Sequence, residues 1–198
     1  MSLHIALIAG SSQVDSQSAK VADYLGQRLR QLELCEQVTL LDLGRSPLPL
    51  WPGPDSRDAW GPYSATLRDA DALVVVTPEW NGMACPAIKN LFVYASHKEL
   101  AHKPALLVGV SAGLGGAYPL AELRASSYKN CRICYLPEQL IVRQVEGAFN
   151  AHGEPTAEER RLRARADWTL QVLAEYAGAM RPLRARIDIQ AVPFANGM

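Results

Sequence analysis

Six consecutive residues, Ala72-Leu73-Val74-Val75-Val76-Thr77, carry no charge and end in a single hydroxyl. A strand with one wet face alternates apolar and polar residues, so a short run without alternation reads as a strand buried on both faces. Burial on both faces requires helices above and below the sheet, and therefore strands and helices that alternate along the chain. That alternation is present. Leu3–Ala9 is a second apolar run, ending at Gly10. From Ser16 onward Ala22, Leu25, Leu29 and Leu32 recur at three and four residues, the apolar face of a helix. Gln37–Leu43 reads as a strand, and a short helix closes at Asp69–Asp71. Ile88, Leu91, Phe92 and Ala95 mark the next helix, Pro104–Ser111 a fourth strand, Ala117–Lys129 a helix and Cys131–Leu136 a fifth strand. The order predicts an α/β three-layer sandwich with a five-stranded parallel sheet. Its ligand is expected beyond the carboxyl ends of the strands, where the strand order reverses. A chain of 198 residues suits one such domain.

Two regions fall outside the alternation. Residues 44–62 hold five prolines with Trp51 and Trp60, a long irregular connection that reads equally as a pocket wall, a subunit contact or a surface loop pinned by its own aromatics. Near the C-terminus, Thr156 followed by Glu158 and Glu159 signals a helix start, and Leu162, Ala166, Leu170, Leu173, Ala177 and Met180 form its apolar face. Arg160 to Arg165 read as its solvated side. The domain is taken as residues 1–181. Residues 182–198, with Ile187, Ile189, Val192 and Phe194, are taken as a tail docked on the domain or on a partner subunit.

Composition narrows the function. Lys+Arg and Asp+Glu each total 20, so no global field draws the chain to nucleic acid or an anionic membrane. No apolar run approaches the roughly 18 residues of a membrane span. The first residues lack the pattern of a signal peptide, which makes the cytoplasm the expected compartment. Cys131 and Cys134 form a C-x-x-C, read here as ordinary strand cysteines. Residues three apart on a strand face opposite ways, and no second pair completes a zinc site. No metal is expected. His4, His97, His102 and His152 are scattered, as surface histidines are.

Three distinctive segments follow strands one, three and four. Gly10-Ser11-Ser12-Gln13-Val14-Asp15-Ser16-Gln17-Ser18 lies between a strand and a helix, where free backbone amides and the positive end of the helix dipole favour an anion. It is neither a Walker loop nor a dinucleotide G-x-G-x-x-G, and a serine-rich turn with a helix cap is the plain alternative. In Thr77-Pro78-Glu79-Trp80-Asn81-Gly82 the aromatic residue suits the flank of a planar ring, and exposed amides suit the polar edge of a heterocycle. In Ser111-Ala112-Gly113-Leu114-Gly115-Gly116 the glycines permit close backbone approach. A simple turn and a flexible loop are the alternatives for these two.

Together the segments resemble the NADPH-dependent FMN reductase family, which is flavodoxin-like, and particularly its chromate- and quinone-reductase branch. Gly10, Ser11 and Ser16 match its G-S-x-R-x-x-S loop. Pro78, Glu79, Asn81, Gly82, Lys89 and Asn90 match its P-E-Y-N-G…K-N motif, the most specific of the three. Ser111, Gly113, Gly116, Leu123 and Arg124 match its S-x-G-x-x-G-G…L-R stretch, and Gly147–Gly153 is similar to the turn before that branch's final helix. The resemblance spans about residues 3–180. Gln13 stands where the family usually has arginine, Asp15 where a small residue is common, Trp80 in place of tyrosine, Cys85-Pro86 in place of Pro-Gly, and Val93 in place of aspartate.

The resemblance implies an NAD(P)H-dependent flavoprotein oxidoreductase with FMN as cofactor and NADPH or NADH as co-substrate. Hydride passes from NAD(P)H through the flavin to a small-molecule acceptor such as a quinone or a flavin. It implies that Ser11, Gln13, Ser16, Gln17 and Ser18 hold the phosphate. Pro78, Glu79, Trp80, Asn81, Gly82, Ser111, Gly113, Gly115 and Gly116 then border the ring, with no side-chain acid or base. A homodimer or homotetramer is the implied assembly. A flavodoxin-like module without flavin and an FMN electron carrier are the other readings, the carrier disfavoured by the neutral charge.

Overall fold

The computed structural model of the protein describes residues 2–188. The strands β1 (His4–Ala9), β2 (Gln37–Asp42), β3 (Ala72–Trp80), β5 (Pro104–Val110) and β6 (Cys134–Val142) form a parallel sheet in the order β2-β1-β3-β5-β6. A two-residue strand, β4 (Met83–Ala84), folds back antiparallel on the end of β3. The helices are α1 (Gln17–Gln31), α2 (Ser56–Asp69), α3 (Pro86–Tyr94), α4 (His97–Leu100), α5 (Tyr118–Ser126) and α6 (Ala157–Arg184). This is the expected flavodoxin-like three-layer sandwich.

The apolar run earns its composition. Val74 and Val76 face one core with Val21, Leu25 and Leu29 of α1 and Leu170 and Leu173 of α6. Leu73 and Val75 face the other with Leu67 of α2, Ile88 and Leu91 of α3, and Leu120 and Leu123 of α5. All four strand residues are fully buried. Complete burial of such side chains stabilises the fold by about 1.5–3 kcal/mol each, and a polar residue at any of them would forfeit that. Helices α1 and α6 are further joined by a two-pronged ion pair, Arg28 Nε and Nη2 each 2.8 Å from an oxygen of Asp167.

Several boundaries differ from the sequence reading. β3 continues past Thr77 to Trp80 because Asn81 (φ 51°) and Gly82 (φ 73°) make a two-residue hairpin turn, and the chain pairs back through Glu79↔Ala84 and Trp80↔Met83. The irregular connection is shorter than residues 44–62, since α2 starts at Ser56 and carries Trp60 and Pro62 within it. Cys131 is not on a strand. It ends a turn in which its thiol donates to Ser127 O (2.9 Å) and Arg132 adopts φ 58°, and β6 opens only at Cys134. Burial raises the pKa of both thiols, the opposite of an activated redox pair. β6 also runs beyond Leu136, through Pro137 to Val142. It is an edge strand, and its register against β5 shifts between Tyr135 and Gln139, which accommodates the proline.

His4 is buried in β1, its Nε2 2.9 Å from Thr39 Oγ1, and is not a surface histidine. Among the C-terminal arginines Arg160, Arg161 and Arg165 are exposed, whereas Arg163 is half-buried over the Tyr24 ring. Helix α6 passes through Pro182 to Arg184, where a missing amide costs one bond in the final turn. Arg184 Nη2 is held 2.8 Å from Asp71 Oδ1. Of the apolar tail residues, Ile189, Val192 and Phe194 lie outside the described residues.

Candidate functional site

Strands β1, β3 and β5 run parallel, so the segments that follow them emerge at one edge of the sheet, on either side of the reversal between β1 and β3. Gly10 is packed into this edge. Its amide donates to Val76 O at 2.7 Å, and a Cβ there would stand 2.7 Å from that oxygen and 2.9 Å from Ile88 Cβ. Only glycine lets the first segment lie against β3 and α3.

Beyond Gly10 the serines divide the work. Ser11 is buried, and its hydroxyl accepts from the Gln13 amide (3.1 Å). Ser16 is the N-cap of α1 and accepts from the Ala19 amide (3.1 Å). Gln17 and Ser18 are the first two helical residues, whose amides have no intrahelical acceptor. Ser18 is 1% exposed, and its hydroxyl is the one buried side-chain polar atom without a partner among the described residues. A buried hydroxyl left unbonded costs about 1–3 kcal/mol, so that of Ser18 calls for a partner, either an ordered water or a bound group. Gln13 and Gln17 are exposed. Asp15, with φ 54°, carries its carboxylate 72% exposed, and Arg45 Nη2 pairs with it at 2.6 Å.

The second and third segments are bound to each other. Glu79 Oε2 accepts from the Gly116 amide at 2.5 Å, and a Cβ on Gly115 would stand 2.5 Å from Glu79 Oε1. Gly116 itself has φ 102°. Ser111 accepts from the Gly113 amide (3.2 Å), while Arg143 Nε donates to the carbonyls of Leu114 (2.7 Å) and Gly115 (3.1 Å). Pro78 lies within β3 in register with Val110, Trp80 is half-buried at its end, and Asn81 and Gly82 are exposed at the turn. The Ser11–Ser18 and Pro78–Gly116 groups thus meet at one sheet edge, the first through β3 and α3 and the second through the Glu79 contact.

Supporting residues went unassigned at the level of sequence. Lys89 and Asn90 were visible as motif members without a role. Lys89 Nζ pairs with Glu122 (2.5 Å), which also accepts from the Ala84 amide (2.6 Å) and so holds the hairpin. Asn90 donates to Pro49 O (2.9 Å) and accepts from the Trp51 amide (3.0 Å), and Tyr94 Oη donates to Pro49 O (2.7 Å). The proline-rich segment is thereby fastened to α3. With Ser12, its Leu48 and Leu50 line a small cavity of about 210 Å³ beside the first segment. Arg124 donates to Leu136 O (2.6 Å), tying α5 to β6 rather than entering the site.

Known proteins resemble this chain in sequence and in fold. An NADPH azoreductase of Bacillus sp. (strain OY1-2) is 28% identical over 147 residues, 71% of this chain and 76% of its own length. An FMN-dependent NADPH-azoreductase of Staphylococcus aureus is 24% identical over 167 residues, 81% of this chain and 87% of its own. The flavoenzyme NAD(P)H:(acceptor) oxidoreductase FerB of Paracoccus denitrificans shares the fold with a TM-score of 0.69 at 18% identity, over 90% of this chain and 98% of its own. Residues 3–147 match the family described as NADPH-dependent FMN reductase, and the chain belongs to that family.

Proposed function

We propose that the protein is an NAD(P)H-dependent FMN oxidoreductase that reduces a small organic acceptor, a quinone, a flavin or a compound of similar redox chemistry. The observation that carries this reading is the unpartnered, buried Ser18 hydroxyl at the N-terminus of α1. It fits a phosphate: a hydroxyl donor, the amides of Gln17 and Ser18, and the positive end of a 15-residue helix stand together. Bound FMN supplies a ring that takes a hydride equivalent from NADPH or NADH and yields electrons to the second substrate. The chain's own part is to hold and orient. Ser11, Ser16 and Ser18 face the phosphate, and the Asn81–Gly82 turn and the Ser111–Gly116 loop, clamped together by Glu79, present backbone to the ring.

Ser18→Ala separates this reading from a structural role. The variant is expected to be about 1 kcal/mol more stable without ligand, because an unsatisfied buried group is gone, and to bind FMN about tenfold more weakly. Urea unfolding and flavin-fluorescence titration measure the two effects. Addition of NADPH to the FMN-loaded wild-type protein without oxygen then bleaches the flavin absorbance. A wild-type protein that binds no FMN, or whose bound FMN stays oxidised, ends the proposal.

A homodimer or homotetramer in the cytoplasm is the setting we propose for this activity. Exposed Met83, Val93, Leu114 and Tyr118 support self-association, and four unpaired cysteines suit a reducing compartment. Sedimentation at micromolar concentration tests the assembly, and a monomer there rejects it.

A further inference from the structure

We propose that Arg45, in the turn after β2, is the cation that faces the FMN phosphate, replacing the arginine that position 13 lacks. The inference rests on reading Gly10–Ser18 as a phosphate loop. Gln13 brings no charge to that loop; its backbone amide donates to Ser11 Oγ, and its side chain is exposed. Lys20, one turn into α1, is directed elsewhere: its ammonium donates to Val145 O (2.7 Å) and Asn150 Oδ1 (3.2 Å). Among the described residues Arg45 is the cation paired with the loop.

Its position is built by the backbone. A Cβ on Gly44 would stand 2.2 Å from the Gln13 carbonyl oxygen, so the turn after β2 lies directly against the phosphate loop, and only because residue 44 is glycine. Asp42, its side chain 11% exposed, accepts from the amides of Gly44 (2.9 Å) and Arg45 (3.4 Å) and fixes that turn. From this anchored backbone the Arg45 guanidinium reaches Asp15 at 2.6 Å, with its Nε 3.7 Å from Asp42 Oδ2.

The pairing has the form of a resting position. Asp15 and Arg45 are both about two-thirds exposed or more, so the pair is solvent-screened and weak. A guanidinium offers five donors, and a phosphate is a doubly charged, multidentate acceptor that competes well against one exposed carboxylate. The cleft outside the loop holds Asp15, Asp23 and Asp42 against Lys20 and Arg45, an excess of one negative charge. That outer cleft disfavours an anion, so the proposed contact has the guanidinium leave Asp15 and turn from the cleft to the Gly10–Ser18 loop. The buried, unpartnered Ser18 hydroxyl at the end of the loop is the observation on which the phosphate reading itself rests.

The test compares FMN with riboflavin, which lacks the phosphate, by fluorescence quenching on flavin-free protein. Arg45→Met is expected to weaken FMN about tenfold or more and leave riboflavin unchanged, while Arg45→Lys keeps part of the preference. Asp15→Asn frees the guanidinium and leaves FMN affinity equal or tighter, and the double variant Arg45→Met with Asp15→Asn stays as weak as Arg45→Met alone. Equal FMN affinity in wild type and Arg45→Met overturns the inference. So does a double variant that regains wild-type affinity, since Arg45 would then serve only to neutralise Asp15. A wild-type protein that binds riboflavin and FMN equally overturns it as well. One that binds neither flavin rejects the functional reading beneath it. Because Arg45 is exposed, thermal unfolding of these variants should match wild type, which separates lost affinity from lost fold.

Discussion

Gly109→Ala is expected to destabilise the protein by about 3 kcal/mol or more and to weaken flavin binding with it. Gly109 lies in β5, in register with Thr77 of β3. A Cβ there would stand 2.1 Å from the carbonyl oxygen of Gly116 and 3.3 Å from Leu120 Cγ. The first neighbour is backbone and has nowhere to go. Gly116 already sits at φ 102°, a Cβ of its own would stand 2.7 Å from Ile141 Cγ2, and its amide is held by Glu79. Relief of the clash therefore means either moving a central strand or tearing the third loop from the Glu79 clamp that joins it to the Asn81–Gly82 turn. The first route costs stability and the second costs the ring site. Gly113→Ala is the matched control. It changes the same loop, but a Cβ there meets nothing within 4 Å, so stability should stay within about 0.5 kcal/mol of wild type. Urea denaturation of both variants, with FMN titration, checks the pair. Equal stability of the two would show that the loop yields freely and that the Glu79 contact does not fix it.

What the sequence disclosed and what it hid follow from the range of the interactions involved. The run from Ala72 to Thr77 announced a doubly covered parallel strand because its alternate residues feed two apolar cores. The sheet, its three edge segments and the family resemblance all came from such local patterns. The hairpin at Asn81–Gly82 was equally local. Asn-Gly between strand residues is a strong two-residue turn signal, and the turn weighed as the plain alternative for Thr77–Gly82 is this hairpin, with β3 running on to Trp80. The sequence reading of this strand ends at Leu136, whereas β6 runs on through Pro137, which its edge position makes harmless. The Arg45–Asp15 pair could not have been read at all. It joins positions 30 residues apart through a turn whose direction depends on Gly44 packing on Gln13. A carboxylate in this loop opposes an anion, but that of Asp15 stands 72% exposed to solvent and pairs with Arg45. Ser18 was one of several serines in sequence, and burial without a partner is what sets it apart.

Lys103→Met should remove one contribution to stability that grows in the wild-type protein as the pH rises from neutral toward 10. Lys103 precedes β5, is 6% exposed, and donates through Nζ to the last carbonyls of α2, Leu67 O (2.5 Å) and Arg68 O (2.7 Å). Burial is the main force on its pKa, reinforced by Arg184 and opposed by Asp71, Asp69 and Glu99, and together they lower it from 10.5 to about 8. A base with a depressed folded-state pKa is disfavoured as the cation in the native protein. Between about pH 8 and 10.5 the unfolded chain therefore binds more protons than the folded one, and stability climbs with pH across that window. The full difference of about 2.5 pKa units corresponds to about 3 kcal/mol, present above pH 10.5 and lost as the pH falls through 8. Tyr63, whose pKa is raised to about 12, and the thiols of Cys131 and Cys134, also raised by burial, act in the opposite sense from about pH 9 upward and do so alike in both proteins. Urea midpoints at about pH 7 and about pH 10 should thus show the wild type gaining about 2 kcal/mol on Lys103→Met. Parallel pH profiles would mean that the two α2 carbonyls and the nearby carboxylates stabilise the ammonium as well as water does, and that the buried lysine carries no pH-linked cost.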